Sequence, residues 1–495
     1  MKHAKLTASI VALLLFSAGA ALARPLALVG ATIITGTGAA PIANGVIVVD
    51  GSKITAIGPR ATTTVPADAQ VIDAQGKFIT PGLVDTNVHL VLMIVPEFYA
   101  KYEDRLEDVA LQSAQVALKY GVTTVRDSWG PLTPLLAVRD RINRGEVPGA
   151  RTLVAGNIVG LGGPFSVHFL GPRGLAAPED LQRRINAMWE VNVGPRLLLL
   201  TADEVRREMR RYLDRGVDFV KVAVSSHGIS PESLMFSPAV LRAMAEEVHA
   251  RKLVFETHTA TLESLRVAVE AGVDLLQHPE SLGSFADEAD RQAMGEREIP
   301  DELITAIKAK GIFCSVLTVS DKRINLIRER EGRDPLFRGL SASRYQTRLR
   351  NLVKLVRGKA PITMATDNGP QAPELGPRPM SPLIGRQHFD TLEDLVLAGM
   401  TPMEALVAAT KRGAEACRRT DIGTLEPGKL ADLVIVRSDP LQDIANMRRI
   451  DLVMKEGVIV DRDRLPTRRV LAFDPEADWP LATKPVGTGS GGGQK

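Results

Sequence analysis

Three of the eight histidines in this 495-residue chain each close a short apolar run. His89 follows LVDTNV, His258 follows LVFET, and His278 follows LLQ. Lys221 lies inside a fourth run, FVKVA, and Asp367 comes just after a fifth, ITMAT. Imidazole nitrogens and carboxylate oxygens are donors for zinc and similar divalent ions, which keep an open position for water at catalytic sites. If the runs are parallel strands, their carboxyl ends bring these side chains together as a metal site.

Lys221 is the unusual member of this set. An apolar strand rarely buries a lysine unless its amine is neutralised or modified. The alternative is an ion pair between Lys221 and a neighbouring carboxylate. Any one histidine taken alone is more simply a hydrogen-bonded core residue, but several strand-end histidines together favour a metal site.

The elements that must position these residues recur along the chain. An amphipathic helical stretch, a glycine at its end and a short apolar strand follow one another five times. The glycines are Gly121, Gly216, Gly272, Gly311 and Gly358. Thr201 with Glu204, and Thr401 with Glu404, fit capping boxes at helix starts. This alternation predicts an α/β fold with a closed (β/α)8 TIM-like barrel over residues 80–420, with an open doubly wound sheet as the alternative.

Both ends of the chain carry short β-branched runs separated by glycine turns. Residues 24–79 contain ATIIT, GVIVV and ITAIG, with Asp50-Gly51 as a hairpin turn. Residues 421–478 contain ADLVIV and DLVM, and Glu456-Gly457 leads on to VIV. We expect the two ends to pair in one small β-sandwich domain. A flexible Gly/Ser-rich tail over residues 479–495 completes the chain.

The first 23 residues have the pattern of a signal peptide. A charged start precedes an apolar run over residues 6–22 and an ALA exit that ends at Ala23. This pattern predicts cleavage after Ala23 and a secreted or periplasmic protein. The alternative is an uncleaved anchor, because the run approaches the roughly 17 residues that span a bilayer. After cleavage we expect no membrane association, and Cys314 and Cys417 do not form a disulfide framework.

The charge balance argues against a nucleic-acid partner. Lys and Arg total 61 and Asp and Glu total 58, which gives a net charge of +3 without a basic run. Neither a GxGxxG nor a GxxxxGK[ST] loop follows an early strand, so a nucleotide-binding fold has no support. We therefore expect a small-molecule substrate. A homo-oligomer is compatible with the sequence, which does not determine the oligomeric state.

These motifs resemble those of the metal-dependent amidohydrolase superfamily, in its imidazolonepropionase-like and Xaa-Pro dipeptidase-like branch. The resemblance rests on residues 81–89 (PGLVDTNVH), 219–222 (FVKV), 256–258 (ETH), 271–278 (AGVDLLQH), 365–367 (ATD) and 423–434 (GTLEPGKLADLV). Their order covers nearly all of the mature chain. The resemblance implies an exported metal-dependent hydrolase that cleaves a C–N bond, in a cyclic amide or a small peptide.

The resemblance also implies the metal ligands. Lys221, carboxylated with CO2, bridges two divalent ions, and zinc is the expected metal. His258 and His278 bind one ion. Asp367 binds the other together with the histidines of the first strand, of which this chain keeps His89.

The chain departs from the family pattern at Asn87. This residue replaces the first histidine of the usual His-x-His pair, and an amide oxygen is a weaker zinc ligand than imidazole. Three outcomes stay open: two metals with Asn87 as a ligand or a neighbour of the ligands, one metal at the complete set, or a pseudo-enzyme. The alternative function is thus a degenerate barrel that binds a ligand or performs a non-hydrolytic reaction at a single metal.

Four residues complete the predicted site. Asp367 is expected to take the proton of the metal-activated hydroxide and to deliver it to the leaving nitrogen. His168 and His227 lie in predicted loops after strands, where substrate contacts form. Arg126 would hold a substrate carboxylate bidentately. The simpler alternatives are loop histidines that bond to backbone, and an ion pair of Arg126 with Asp127 or another carboxylate.

Overall fold

The computed structural model describes residues 24–93, 95–170, 177–227, 233–282, 298–317, 341–370, 372–375 and 384–472. The predicted signal peptide over residues 1–23 and the tail over residues 479–495 lie outside the described residues. No helix in the described ranges is long and apolar enough to cross a membrane.

The strands and helices alternate through the middle of the chain. The strands are β1 (Leu26–Ile33), β2 (Ile42–Asp50), β3 (Lys53–Pro59), β4 (Gln70–Asp73), β5 (Phe78–Pro81), β6 (Leu83–Val88), β7 (Val122–Asp127), β8 (Arg151–Val154), β9 (Ile158–Val159), β10 (Phe219–Ala223), β11 (Val254–His258), β12 (Leu275–Gln277), β13 (Phe313–Val316), β14 (Ile362–Met364), β15 (Leu433–Val436), β16 (Ile450–Lys455) and β17 (Val458–Ile459). The α-helices are α1 (Pro96–Tyr102), α2 (Leu106–Lys119), α3 (Leu132–Asn143), α4 (Val167–Leu170), α5 (Glu179–Glu190), α6 (Ala202–Leu213), α7 (Pro238–Ala250), α8 (Leu262–Ala271), α9 (Asp301–Ala309), α10 (Ser341–Arg357), α11 (Gln387–Leu397), α12 (Pro402–Ala408) and α13 (Lys411–Ala416). Short 3-10 turns lie at Glu103–Arg105, Pro195–Leu199, Pro279–Ser281, Pro373–Leu375, Ile444–Arg448 and Arg462–Arg464.

The central strands are parallel, which confirms the predicted α/β fold. They form a six-stranded sheet in the order β14-β13-β12-β11-β10-β9 and a three-stranded sheet in the order β6-β7-β8. In the described part of the chain these are two ladders and not one closed ring. Backbone hydrogen bonds cross both seams: Asp218 N donates to Val154 O at 2.8 Å, and Asp367 N donates to Asn87 O at 2.8 Å.

The two ends of the chain meet in one eight-stranded sheet. Its order is β17-β16-β15-β5-β1-β2-β3, with β4 paired to β1. The joining contact is the antiparallel pair of β5 and β15, in which Ile79 lies opposite Ile435. The pairing of the two ends is therefore present in the structure. Its division into two sandwich layers, and the domain limits at 79/80 and 420/421, stay predictions.

Local signals in the sequence position these elements. Both predicted capping boxes form, at the starts of α6 and α12. Left-handed glycines end four of the five repeated units, at Gly121, Gly216, Gly272 and Gly311. In the fifth unit the left-handed residue is Lys359, with φ 56°, and not Gly358. Gly358 N still donates to Lys354 O at 2.8 Å, so the last helical turn closes one residue later than predicted.

A buried ion cluster joins the parallel strands to the eight-stranded sheet. Arg151, at the start of β8, donates to Asp432 Oδ2 at 2.7 Å and to Thr124 Oγ1 at 2.9 Å. It also pairs with Glu456, in the turn between β16 and β17. The Arg151 and Asp432 side chains are only 4% and 3% exposed. Because charges so deeply buried are costly when unpaired, this cluster fixes how the two parts dock.

Candidate active site

The strand ends place the predicted site residues as the sequence indicates. His258 is the last residue of β11, while His89 and His278 directly follow β6 and β12. Lys221 lies in the middle of β10, and Asp367 comes three residues after β14. His278 and Asp367 have φ angles of 38° and 53°, in the left-handed region that L-residues other than Asn, Asp and Gly seldom adopt. Such backbone strain is concentrated at functional sites.

His258 and His278 form a buried pair of imidazoles. His258 Nδ1 and His278 Nε2 lie 3.1 Å apart, and each residue is only 2% exposed. Burial lowers the pKa of His278 to about 3 and holds the pKa of His258 well below its usual value. Both rings are therefore neutral at pH 7, which is the form that binds a metal ion.

Asp367 is the carboxylate of the second donor pair. His89 Nε2 lies 2.9 Å from Asp367 Oδ1, and His89 Nδ1 lies 3.3 Å from Trp129 O. Burial raises the pKa of Asp367, but the hydrogen bond and the charge of His89 outweigh it and hold that pKa well below the usual range. The Asp367 side chain is 25% exposed, so its ionised carboxylate is partly accessible to solvent.

Asn87 completes the surroundings of Asp367. Its Nδ2 donates to the same Asp367 Oδ1 at 2.9 Å. Its own Oδ1 is buried and has no hydrogen-bond partner among the described residues. A buried acceptor without a partner costs about 1–3 kcal/mol. A cation or a donor at this oxygen would remove that cost.

Lys221 is 1% exposed. Among the described residues its Nζ forms no hydrogen bond or ion pair. Burial lowers the pKa of Lys221, against the opposing charges of Asp367 and Glu256. The ion-pair alternative for this lysine is therefore absent from the described part of the structure. An uncharged amine is the form that can react with CO2.

A divalent metal ion needs ligands from both residue pairs and from the lysine. The pairs are His258 with His278 and Asp367 with His89, and the lysine is Lys221. Within the described residues, no three His, Cys, Asp or Glu side chains already form a metal-binding group. The charge of Asp367 raises the pKa of His258, His278 and Lys221, so all of these groups share one electrostatic environment. Neutral imidazoles, a carboxylate and the unpartnered amide oxygen of Asn87 are suitable ligand types. A carboxylated Lys221 would complete the set.

Arg126 does not lie where a substrate would reach it, which corrects the sequence-based expectation. Its side chain is completely buried, and its Nη2 lies 2.6 Å from Oε2 of Glu256. The guanidinium also stacks over the Phe219 ring at 4.0 Å. Phe219 is the first residue of β10 and Glu256 is the third of the five residues of β11, so both stand before the ends of their strands. The ion pair that the sequence left as the alternative is present, with Glu256 and not Asp127 as the partner.

His227 lies beside the imidazole pair. Its ring is 5.1 Å from the ring of His258 and 4.8 Å from that of Phe169. Its backbone N donates to His168 O at 2.9 Å, which ties the loop after β10 to α4. Burial lowers the pKa of His227 to about 4, so this ring is also neutral at pH 7. The structure thus brings His227 to the site.

His168 lies next to Phe169 in α4 and is partly buried. Its backbone N donates to Ser166 Oγ at 3.2 Å. Its Nδ1 is buried and has no hydrogen-bond partner among the described residues. Substrate contact by His168, as by His227, stays a prediction.

Sequence reasoning missed several residues that hold the site together. Asp85 accepts hydrogen bonds from Thr366 Oγ1 at 2.6 Å and from Asn87 N at 3.2 Å, and burial raises its pKa to about 7. Asp127 accepts from Leu90 N at 2.7 Å, directly after His89. The available signal was the presence of carboxylates inside strands that are otherwise apolar.

Comparisons with known proteins agree with this geometry. The model of the amidohydrolase family matches residues 78–460. The crystal structure of phenylurea hydrolase B is 36% identical with a TM-score of 0.82, covering 91% of this chain and 100% of that one. Molinate hydrolase is 34% identical with a TM-score of 0.80, covering 91% and 98%. The imidazolonepropionase of Alkaliphilus metalliredigens (strain QYMF) is 26% identical over 440 residues, 86% of this chain and 92% of that protein. The chain therefore belongs to the amidohydrolase family and is a hydrolase of C–N bonds, as the resemblance of its motifs implied.

Proposed function

We propose that this protein is a metal-dependent hydrolase that cleaves the C–N bond of a small amide or urea. The observation that carries the proposal is the pair of buried, neutral imidazoles of His258 and His278 beside the ionised carboxylate of Asp367. Neutral imidazoles and a carboxylate are ligand types that divalent metal ions accept. Divalent metals are typical of the family.

The fold that we propose around this site is the closed (β/α)8 barrel. Support comes from the backbone hydrogen bonds at both seams of the two parallel sheets, and from the isolated parallel bridge between Val88 and Asn368. Counting β8 and β9 as one interrupted strand gives the eight strands that a barrel requires. Active sites of such barrels form at the carboxyl ends of the strands, where the candidate ligands lie.

Two groups of residues would hold the metal. His258 and His278 supply one set of donors, with Lys221 as a carboxylated ligand. Asp367 and His89 supply the other set, and Asn87 Oδ1, beside them, is buried without a hydrogen-bond partner among the described residues. One or two ions are compatible with these donors, and we propose zinc, which suits neutral imidazole and carboxylate ligands.

The carboxylation of Lys221 would be a simple addition. The uncharged Nζ attacks CO2, an N–C bond forms, and a proton leaves the nitrogen for solvent. The product is an anionic carbamate whose two oxygens can bridge two positions. Support comes from the burial of Lys221 and from its lack of an ion-pair partner among the described residues.

Asp367 is the proton carrier in the proposed reaction. A bound divalent ion supplies Lewis acidity, which lowers the pKa of water toward about 7 and polarises a carbonyl group. Asp367 is ionised and partly exposed, so it can accept a proton from the attacking water. The same carboxyl group then protonates the leaving nitrogen. Asn87 Nδ2 donates to its Oδ1, which leaves Oδ2 for this transfer.

The substrate is proposed from the site and from the names of the relatives. Phenylurea hydrolase B and an imidazolonepropionase are both named for compounds with C–N bonds. Because the guanidinium of Arg126 is occupied by Glu256, this residue offers no anchor for a substrate carboxylate. This favours an uncharged amide, cyclic amide or urea over a peptide with a free carboxyl end. His168 and His227 are the proposed contacts beside the imidazole pair.

We also propose that the protein is exported, on the strength of the signal-peptide pattern in residues 1–23. Amino-terminal sequencing of the protein recovered outside the cytoplasm tests this proposal directly. A mature chain that starts at Arg24 supports it. A chain that retains residues 1–23 contradicts it.

The proposed function is tested by loading the protein with zinc and bicarbonate and measuring hydrolysis of a panel of ureas, cyclic amides and dipeptides. We expect turnover of at least one uncharged amide or urea, its loss with a chelator, and its return with metal. His258→Ala is the site variant and should lose the activity. His249→Ala is the control, because His249 pairs with Asp274 on the outer surface at 2.9 Å. Equal activity of both variants would contradict the assignment of the site.

A further inference from the structure

The Arg126–Glu256 ion pair lies directly beneath the proposed metal site. Both side chains are fully buried, and Nη2 of Arg126 lies 2.6 Å from Oε2 of Glu256. The pair spans from β7 to β11, across the interior of the parallel strands. The guanidinium carbon of Arg126 lies 4.0 Å from the centre of the Phe219 ring, so the guanidinium stacks on that ring. The proposed hydrolysis does not use either residue.

The other oxygen of Glu256 is also occupied. Its Oε1 accepts hydrogen bonds from Gln277 Nε2 at 3.0 Å and from Ser128 Oγ at 3.2 Å. Gln277 reaches the carboxylate from β12, while Arg126 and Ser128 reach it from β7 and from the residue that directly follows β7. These contacts hold the Glu256 carboxylate in place. Glu256 stands two residues before His258 in β11.

Lys221 is a cation with which the Glu256 carboxylate could pair if Arg126 were absent. In the parallel ladder of β10 and β11, Lys221 stands directly opposite Glu256. Paired residues of neighbouring strands point to the same face of a sheet, so both side chains enter the same interior layer. A lysine and a glutamate buried side by side normally form an ion pair, because each charge is costly alone. Among the described residues, Lys221 forms no such pair.

We propose that Arg126 is a positioning residue that captures the Glu256 carboxylate and so keeps the Lys221 amine available as a metal ligand. The inference rests on the proposed function, in which Lys221 serves the metal site. Arg126 fits this task because its planar guanidinium stays charged and stacks on an aromatic ring while it binds a carboxylate. Without Arg126, Glu256 is a buried carboxylate that lacks a cation, and Lys221 is the adjacent cation that can compensate it.

The test compares three variants purified with zinc and bicarbonate. Arg126→Met removes the cation and keeps an apolar side chain of similar length over Phe219. Arg126→Met with Glu256→Gln removes both charges, so position 256 no longer offers Lys221 a carboxylate. Arg151→Met is the matched control, since Arg151 is an equally buried arginine paired with Asp432 at the opposite end of the strands.

Metal affinity is the first measurement, by titration of the metal-free proteins with zinc. We expect Arg126→Met to weaken zinc binding about tenfold or more, the size of effect that supporting residues have at metal sites. The double variant should regain most of the affinity, and Arg151→Met should keep that of the wild type. A double variant as weak as Arg126→Met would overturn the proposal, because it would show that the pair only supports the fold.

The crystal structure of the Arg126→Met variant is the second measurement, and it does not depend on bound metal. We expect a Glu256 carboxylate oxygen within about 4 Å of Lys221 Nζ, the limit for an ion pair. A Glu256 side chain that keeps its position and leaves Lys221 unpaired would overturn the proposal. If the single variant does not fold, a folded double variant with wild-type zinc affinity supports the proposal, and one with weakened affinity overturns it. Absence of zinc binding by the wild type would instead contradict the proposed function.

Discussion

Asn87 Nδ2 lies 2.9 Å from Oδ1 of Asp367, the oxygen that His89 Nε2 also contacts at 2.9 Å. The residue that departs from the family pattern is therefore in direct contact with the proposed proton carrier. The Asn87 amide donates to this oxygen and so orients the carboxylate, whose second oxygen is left for proton transfer. Asn87 thus has a place in a working site, which argues against a degenerate one.

Replacing Asn87 with histidine should lower kcat/KM. The variant loses the hydrogen bond to Asp367 and places a larger ring in a fully buried position. We expect a loss of about 10- to 100-fold, as for other residues that orient metal-site groups. Steady-state kinetics at saturating zinc measures this loss, with metal content determined on the same samples. A strong rise in kcat/KM would show instead that Asn87 is a defective ligand position.

Replacing Asp367 with asparagine should remove nearly all turnover and leave the fold intact. The amide cannot accept the proton of the attacking water, and general acid-base catalysis contributes about 10²- to 10⁴-fold. The change is nearly isosteric, so the circular dichroism spectrum should match that of the wild type. We expect kcat, expressed per bound metal ion, to fall by that range. Retained kcat would exclude Asp367 as the proton carrier.

Replacing Arg151 with methionine should destabilise the protein without entering the active site. The change leaves the Asp432 carboxylate buried without its cation, which costs about 3–5 kcal/mol. Urea unfolding measures this cost. The double variant with Asp432→Asn removes the uncompensated charge and should recover part of the stability. Equal stability of the single variant and the wild type would show that the cluster does not fix the docking of the sheet.

His388 should make the stability of the protein depend on pH. Burial lowers the pKa of this residue to about 3, and its Nε2 lies 3.1 Å from Tyr120 O. Between this value and the usual histidine pKa of about 6.5, the unfolded chain binds a proton that the folded chain does not, so stability is lost as the pH falls. The expected loss between pH 7 and pH 5 is about 2 kcal/mol.

The measurement for His388 is urea unfolding at both pH values. His388→Gln is the comparison variant, because glutamine can donate to Tyr120 O and does not titrate. The stability of this variant should depend less on pH, by about the same 2 kcal/mol. Parallel pH profiles for the two proteins would contradict the assignment.

The sequence predicted the site better than it predicted the interior beneath it. The histidines could be placed because each follows a run whose composition and length indicate a strand, and parallel strands bring their ends together. The left-handed Lys359 could not be foreseen, because a glycine stood one residue earlier and glycine is the usual residue for that conformation.

The roles of Arg126 and Asn87 depend on contacts between distant parts of the chain. Arg126 meets Glu256 from another strand, 130 residues later, and the local sequence gives no indication of that register. Asn87 contacts Asp367 across 280 residues. A motif shows that Asn87 replaces a histidine, but only the packed structure shows which atom it bonds.

The metal content per chain tests the central claim most directly. The protein is purified without chelator, supplied with zinc and bicarbonate, and assayed by elemental analysis beside the double variant His258→Ala/His278→Ala. The account predicts one or two bound ions per wild-type chain and a clear loss in the variant. A wild-type chain that binds none, or a variant that binds as much as the wild type, would contradict metal-dependent hydrolysis at this site.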